Sequence, residues 1–188
     1  MMDIEHGDFV MPGDVIGVSE QYLPGDWTYE DGGYIKAAII GNVSANRHEI
    51  TIIPKTTVPV VLKVDNIVVG QITDIKGQRT MVDVQAFIDS SRELALPYSG
   101  AIHVSQVKKG YLEKLTDAFR IGDIVEGKVI KIMGNNIDIN TEDPEHGVLK
   151  AMCSRCRNFM VPTNNKDILY CEQCNRKEKR KISLNYDY

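Results

Sequence analysis

Apolar residues along this chain recur in short runs, often at every second position, and Gly, Pro and Asp separate the runs. Within residues 1–62, turn signals stand at Met11-Pro12-Gly13-Asp14, Leu23-Pro24-Gly25-Asp26 and Asp31-Gly32-Gly33. Between and after them lie β-branched runs at 15–18, 34–40 and 49–54. This pattern predicts a small antiparallel β domain. So short a piece buries little core and is expected to lean on a neighbour.

Five further runs follow at 66–75, 80–88, 100–104, 123–132 and 136–140, with the cleanest alternation in Val82-Asp83-Val84-Gln85 and Ile137-Asp138-Ile139-Asn140. Strands with one buried and one wet face read this way. Between the third and fourth runs, Leu112, Leu115 and Phe119 recur at helical spacing. Three strands, a short helical insert and two strands predict a five-stranded OB-type barrel over 63–148. Two pieces point further: Gly100-Ala101-Ile102-His103-Val104-Ser105, and Phe119-Arg120-Ile121-Gly122-Asp123-Ile124-Val125 leading through a Gly-Asn-Asn turn into Ile137-Asp138-Ile139. In this order they resemble the S-one RNA-binding domain. The resemblance implies a single-strand contact surface on the second and third strands and points to His103 and Arg79. Lys108, Lys109, Tyr111 and Arg120 join them as candidates by chemistry and closeness in sequence. Family members that bind RNA strongly carry Phe near the first turn and on the second strand, where this chain has Lys76-Gly77-Gln78-Arg79 and Met81-Val82-Asp83-Val84. The barrel is therefore expected to bind RNA weakly by itself, and to contribute to an assembled path.

The last piece, 149–188, holds all four cysteines as Cys153-x-x-Cys156 and Cys171-x-x-Cys174. Each Cys-x-x-Cys turn sets two thiolates on one side of a tight knuckle, and two knuckles close a tetrahedron. With every position taken by sulfur, no site stays open for water or substrate, so the expected metal is structural, one zinc per chain; four thiolates also suit iron. Short strands around 159–162 and 168–170 complete a zinc ribbon, whose folding energy comes mostly from the metal. Arg157 and Asn175 occupy the positions after each knuckle where ribbons often have Gly. Asn tolerates the left-handed backbone better than Arg.

Charge divides the chain in the same places. Residues 1–62 carry −6, residues 63–148 carry −3 and residues 149–188 carry +5. Arg176, Lys177, Lys179, Arg180 and Lys181 put five cations into the seven positions 175–181. Such a run either attracts phosphates or forms a solvated terminal strand. Near the N-terminus Tyr22, Pro24, Trp27 and Tyr29 surround a Pro-Gly turn. They either fill the core of a small domain or form a protein-binding face. Apolar residues at 43% and charged residues at 26% suit a soluble chain, and no stretch approaches the roughly 20 apolar residues of a membrane span. The acidic start, Met1-Met2-Asp3-Ile4-Glu5-His6, is unlike a secretory signal, and the expected location is cytoplasmic.

Taken in order, these three pieces resemble the Csl-type RNA-binding cap subunits of the archaeal exosome. The N-terminal likeness rests on Val10-Met11-Pro12-Gly13-Asp14, Tyr22-Leu23-Pro24-Gly25, Thr28-Tyr29 and Gly33-Tyr34-Ile35. The resemblance implies a non-catalytic subunit beside another cap subunit on a hexameric ring of RNase-PH-like proteins, the N-terminal domain docking and the barrel lining the entrance for RNA 3′ ends. It further implies an accessory protein related to bacterial-type primase. No nucleophile elbow, glycine-rich phosphate loop or open His-rich metal site is present, in keeping with a subunit that is not an enzyme. The alternative reading is a ribosome- or translation-associated RNA-binding protein built from the same modules.

Overall fold

The computed structural model describes residues 6–57, 61–88, 94 and 96–186; the acidic segment 1–5 lies outside them. The chain divides into two units, Met1–Pro59 and Val60–Tyr188.

In the first unit seven strands are described: β1 (Phe9–Val10), β2 (Val15–Val18), β3 (Leu23–Pro24), β4 (Thr28–Asp31), β5 (Tyr34–Ala37), β6 (Gly41–Ala45) and β7 (Glu49–Pro54). They form two sheets, ordered β1-β6-β7-β3 and β2-β5-β4. The alternation of β5 and β7 turns Ile35, Ala37, Ile50 and Ile52 inward, where they meet Val10, Ile16 and Val43. The run expected over 34–40 ends as a strand at Ala37. Strand β6 has no clear signal in sequence, because Val43 is its one large buried side chain among small and polar neighbours. Pairing with β7 makes it a strand.

The second unit opens with β8 (Ile67–Lys76), β9 (Arg79–Phe87) and β10 (Tyr98–His103), followed after an irregular segment by β11 (Ile124–Met133) and β12 (Asn136–Asn140). These are the five runs read from the sequence. Neighbours pair in the order β12-β10-β9-β8-β11, and β12 also pairs with β11, so the sheet closes into a barrel. Every second residue faces inward, giving an interior of Val68, Ile72, Val82, Val84, Ile102, Val125, Val129, Ile137 and Ile139. The helical insert is not formed as such. Two short 3-10 turns, Val104–Gln106 and Leu115–Asp117, stand in its place. Leu115 reaches the core from the second of these turns, and Phe119 from the irregular segment just after it.

Gly70 sits where the β8–β9 register shifts. A Cβ there would collide with the Asp83 carbonyl oxygen and the Val82 side chain. Gly70→Ala is expected to cost about 1–3 kcal/mol, the usual penalty for overpacking. Urea denaturation checks this, and an unchanged midpoint would show that β9 can yield.

From the barrel the chain runs through β13 (Gly147–Lys150), paired to β11, into β14 (Val161–Pro162), β15 (Ile168–Cys171) and β16 (Arg176–Lys179). The last three form a small antiparallel sheet with β15 in the middle. One continuous core extends from barrel residues such as Val82 and Phe119 through Ala151 to Met160, Leu169 and Cys171. The chain then comes back to the barrel: Val148 N–H donates to the Lys181 carbonyl at 2.8 Å, and Ser183 N–H to the Val148 carbonyl at 3.0 Å. Among the described residues no helix is long and apolar enough to cross a membrane.

Candidate metal centre and nucleic-acid interface

Cys153, Cys156, Cys171 and Cys174 converge from two tight turns, with their sulfur atoms all within 4.8 Å of one another. They could hold a metal ion. Cys153 and Cys171 are buried, and Cys156 and Cys174 half-buried. The backbone takes left-handed values after each knuckle, φ 65° at Arg157 and 53° at Asn175. Both positions were marked in the sequence by their lack of Gly. Each occupant compensates with a hydrogen bond. The Arg157 guanidinium donates to the Ile121 carbonyl of the barrel at 3.0 Å, and the Asn175 side-chain oxygen accepts from the Tyr170 hydroxyl at 2.6 Å.

The thiols of this cluster are electrostatically unequal. The Asn158 backbone N–H, with the Cys174 thiol behind it, holds Cys156 down to about 7. Cys174 is pushed up to about 12 by its neighbour Cys156 and by burial. Burial likewise raises Cys171. Four sulfurs packed this closely cannot all ionise without a cation among them, and a divalent metal supplies that charge.

Arg180 ties the knuckles to the barrel. Its side chain has no solvent exposure, and its Nε donates to Asp123 Oδ2 at 2.6 Å. The Asp123 carboxylate also accepts from the N–H groups of Arg120 (2.9 Å) and Met152 (3.2 Å). Burial raises the Asp123 carboxyl, with the Arg180 guanidinium opposing it. Arg180 Nη2 donates to Glu178 Oε2 at 2.9 Å, and the other Glu178 oxygen accepts from Ser154 N–H (3.1 Å) and Ser154 Oγ–H (2.6 Å), within the first knuckle. Burial works to raise Glu178, but the bonds from Ser154 and Arg180 prevail and hold it below its ordinary value. Arg180 is therefore structural and unavailable to a ligand, although composition placed it with the surface cations. Arg176, Lys177 and Lys179 of the same run are exposed, and Lys181 is half-buried, its ammonium donating to the Asp143 carbonyl at 2.7 Å and to the His146 carbonyl.

On the barrel, the β9–β10 register sets Arg79 opposite His103. His103 ends β10 and caps the turn after it: its Nδ1 lies 2.8 Å from Ser105 Oγ and accepts from Ser105 N–H at 3.3 Å. Arg79, His103, Ser105, Gln106 and Asp138 surround a shallow groove of about 230 Å³. Gln106 and Asp138 escaped notice in the sequence. The alternation of β12 turns Asp138 outward, but its place beside Ala101 depends on the parallel pairing of β10 with β12. Lys108, Lys109 and Tyr111 are exposed on the segment after β10, Lys109 lying 3.8 Å from Asp143, while Arg120 is half-buried. In the first unit, Tyr22 and Trp27 pack against the core, whereas Pro24 and Tyr29 are exposed.

The chain is similar to known proteins. A family model described as the exosome complex exonuclease RRP4 N-terminal region matches residues 9–46. The exosome complex component Csl4 of Archaeoglobus fulgidus is 36% identical over 178 residues, covering 95% of this chain and 96% of that protein. The exosome complex component Rrp4 of Methanobrevibacter smithii is 28% identical over 132 residues, 70% of this chain and 40% of its own length. That of Pyrococcus horikoshii is 30% identical over 144 residues, 74% of this chain and 50% of its own length. The chain thus spans half or less of these two Rrp4 components, but nearly all of the Csl4 component.

Proposed function

Since the chain belongs to the family of the exosome component Csl4, we propose that it is a non-catalytic RNA-binding cap subunit of an archaeal exosome, guiding RNA 3′ ends toward a ring of RNase-PH-like subunits. The match of almost the whole chain to one exosome component carries this reading. The barrel groove supports the RNA part of it: Arg79 offers a planar cation for base stacking or a phosphate, and His103 a second ring at the same level. Asp138 in that groove and the missing Phe residues keep the affinity of the isolated chain low, so its contribution is made within an assembled path. The four cysteines would hold one zinc ion, which supplies a closed tetrahedral anchor for the ribbon and no open coordination position. Contacts with the ring fall to the first unit, with Pro24 and Tyr29 as exposed candidates, and the remaining partners are a second cap subunit and a primase-related accessory protein. The working location is the cytoplasm.

The test is reconstitution. Adding the chain to a purified RNase-PH-like ring should speed degradation of single-stranded RNA, and Arg79→Ala is expected to remove several-fold of that gain without loosening association with the ring. A chain that fails to co-elute with the ring and instead sediments with ribosomes would favour the translation-associated alternative.

A further inference from the structure

Two further depressions lie on the second unit besides the Arg79–His103 groove. One, about 510 Å³, is lined by Gln78 and Val104, the chain neighbours of Arg79 and His103, and by Tyr111. The third, about 290 Å³, is lined by the same Tyr111 and by Asp167 and Lys179 on the ribbon. Tyr111, Leu112 and Glu113 line both depressions, and Tyr111 is the aromatic ring among them. It is 86% exposed, so it contributes almost nothing to packing, and its place in the fold is not explained by the core.

On the ribbon side, the period of two along β16 sets Lys177 and Lys179 on one face, opposite in direction to Glu178, which turns in toward Ser154 and Arg180. Among the described residues Lys108, Lys177 and Lys179 have no carboxylate partner. The third depression also holds Glu113, Asp117 and Asp167. Its net charge is small, so attraction of phosphates alone would hold a polyanion there weakly. A solvent-facing ring between two stations, with cations beyond it, suits a ligand that offers a flat apolar face and a phosphate in each repeating unit. Single-stranded nucleic acid has that chemistry.

We propose that a single strand of RNA seated in the Arg79–His103 groove continues over Tyr111, where a base stacks on the phenol ring, and reaches the Lys177–Lys179 face of β16, so that barrel and ribbon form one track. This rests on the RNA-binding reading of the barrel and extends it to the ribbon. Tyr111 and the two lysines have no place in the core or in the metal site, and their replacement leaves the fold intact.

The test measures fluorescence anisotropy of the full chain with 5′-labelled oligoadenylates of four and sixteen nucleotides. For the sixteen-mer, Tyr111→Ala should weaken binding by about five- to tenfold, the scale of one base stacked on an aromatic ring. Tyr111→Phe, which keeps the ring, should retain the affinity. The double change Lys177→Ala with Lys179→Ala should lower the slope of log K against log salt by about 1.4, or about 0.7 for each phosphate of the single strand that is no longer neutralised. Neither change should alter binding of the four-mer, which fills the barrel groove alone. Loss of binding with Arg79→Ala, but none with Tyr111→Ala or the lysine pair, overturns the track and leaves the barrel reading standing. Binding that no variant alters overturns both. Equal losses on the four-mer and the sixteen-mer with Tyr111→Ala place the ring inside the first groove and also overturn the track.

Discussion

Arg180→Ala should destabilise the second unit by about 3–5 kcal/mol, more than any other single surface-run substitution, because it strands the Asp123 carboxylate in a site closed to water. For a unit of this size that corresponds to a fall in melting temperature of roughly 10–15 °C. The loss comes from an uncompensated charge and from the broken connection to Glu178, which holds the first knuckle through Ser154. If this account is right, removing both charges should cost less than removing one. Asp123→Asn combined with Arg180→Met is expected to recover part of the loss, since no charge is left buried, although the single amide oxygen can accept from only one of the N–H groups of Arg120 and Met152, which now bond to different carboxylate oxygens. Guanidinium denaturation of the three proteins decides the matter. A cost below about 1 kcal/mol for Arg180→Ala would mean that the apolar core alone docks the ribbon.

Metal removal is expected to have the other large effect. Structural zinc contributes on the order of 10 kcal/mol to the folding of zinc-finger peptides at neutral pH. Here the ligands are also core residues, since Cys153 and Cys171 pack in the same cluster as Phe119, Met160 and Leu169. Chelation, or Cys153→Ser, should therefore melt β14 to β16 and also loosen the barrel side that the ribbon covers. Hydrogen exchange should show protection lost across β16 and reduced at Phe119 and Ala151, with β9 and β10 little changed. The sign of the pH dependence follows from the thiols. At pH 7 Cys156, at about 7, is half ionised, while Cys174, at about 12, keeps its proton. Burial raises Cys171 as well, so binding of the metal must expel more than two protons, and affinity must fall as pH falls. Calorimetry in two buffers of different ionisation enthalpy counts them. Fewer than one proton released, or metal content far below one per chain, would refute the site.

The barrel was readable because its strands alternate with a clear period of two, and the pairings that close it extend those runs by only a residue or two, as at Ser99 and Met133. The loop before β11 was not. Leu112, Leu115 and Phe119 have helical spacing, yet a segment that short is a marginal helix. The segment is held at its end by the bond from Arg120 N–H to Asp123, and Leu115 reaches the core from a 3-10 turn, with Phe119 following from irregular backbone. Cysteine spacing announced the four-thiol cluster, and the absent glycines marked the two left-handed positions. Arg180 shows where reading by composition fails. Nothing local distinguishes it from the four cations around it; its partner Asp123 lies 57 residues earlier, and only the docking of ribbon on barrel makes one arginine of the run a buried residue. The groove shared by β9, β10 and β12 was half legible for the same reason, with Arg79 and His103 visible and Asp138 supplied by a parallel pairing.

The return of the chain from the ribbon to Val148 has a mechanical meaning. A module hung on one linker swivels, and its surface sweeps many angles. The ribbon instead leaves the barrel along β13, comes back beside it at Lys181 and Ser183, and is bolted in between by Arg180 to Asp123. One covalent link through β13, a hydrogen-bonded return at Lys181 and Ser183 and one ion pair hold the ribbon at three places, so a tug on β16 passes into the barrel wall and is not spent on rotating a loose arm.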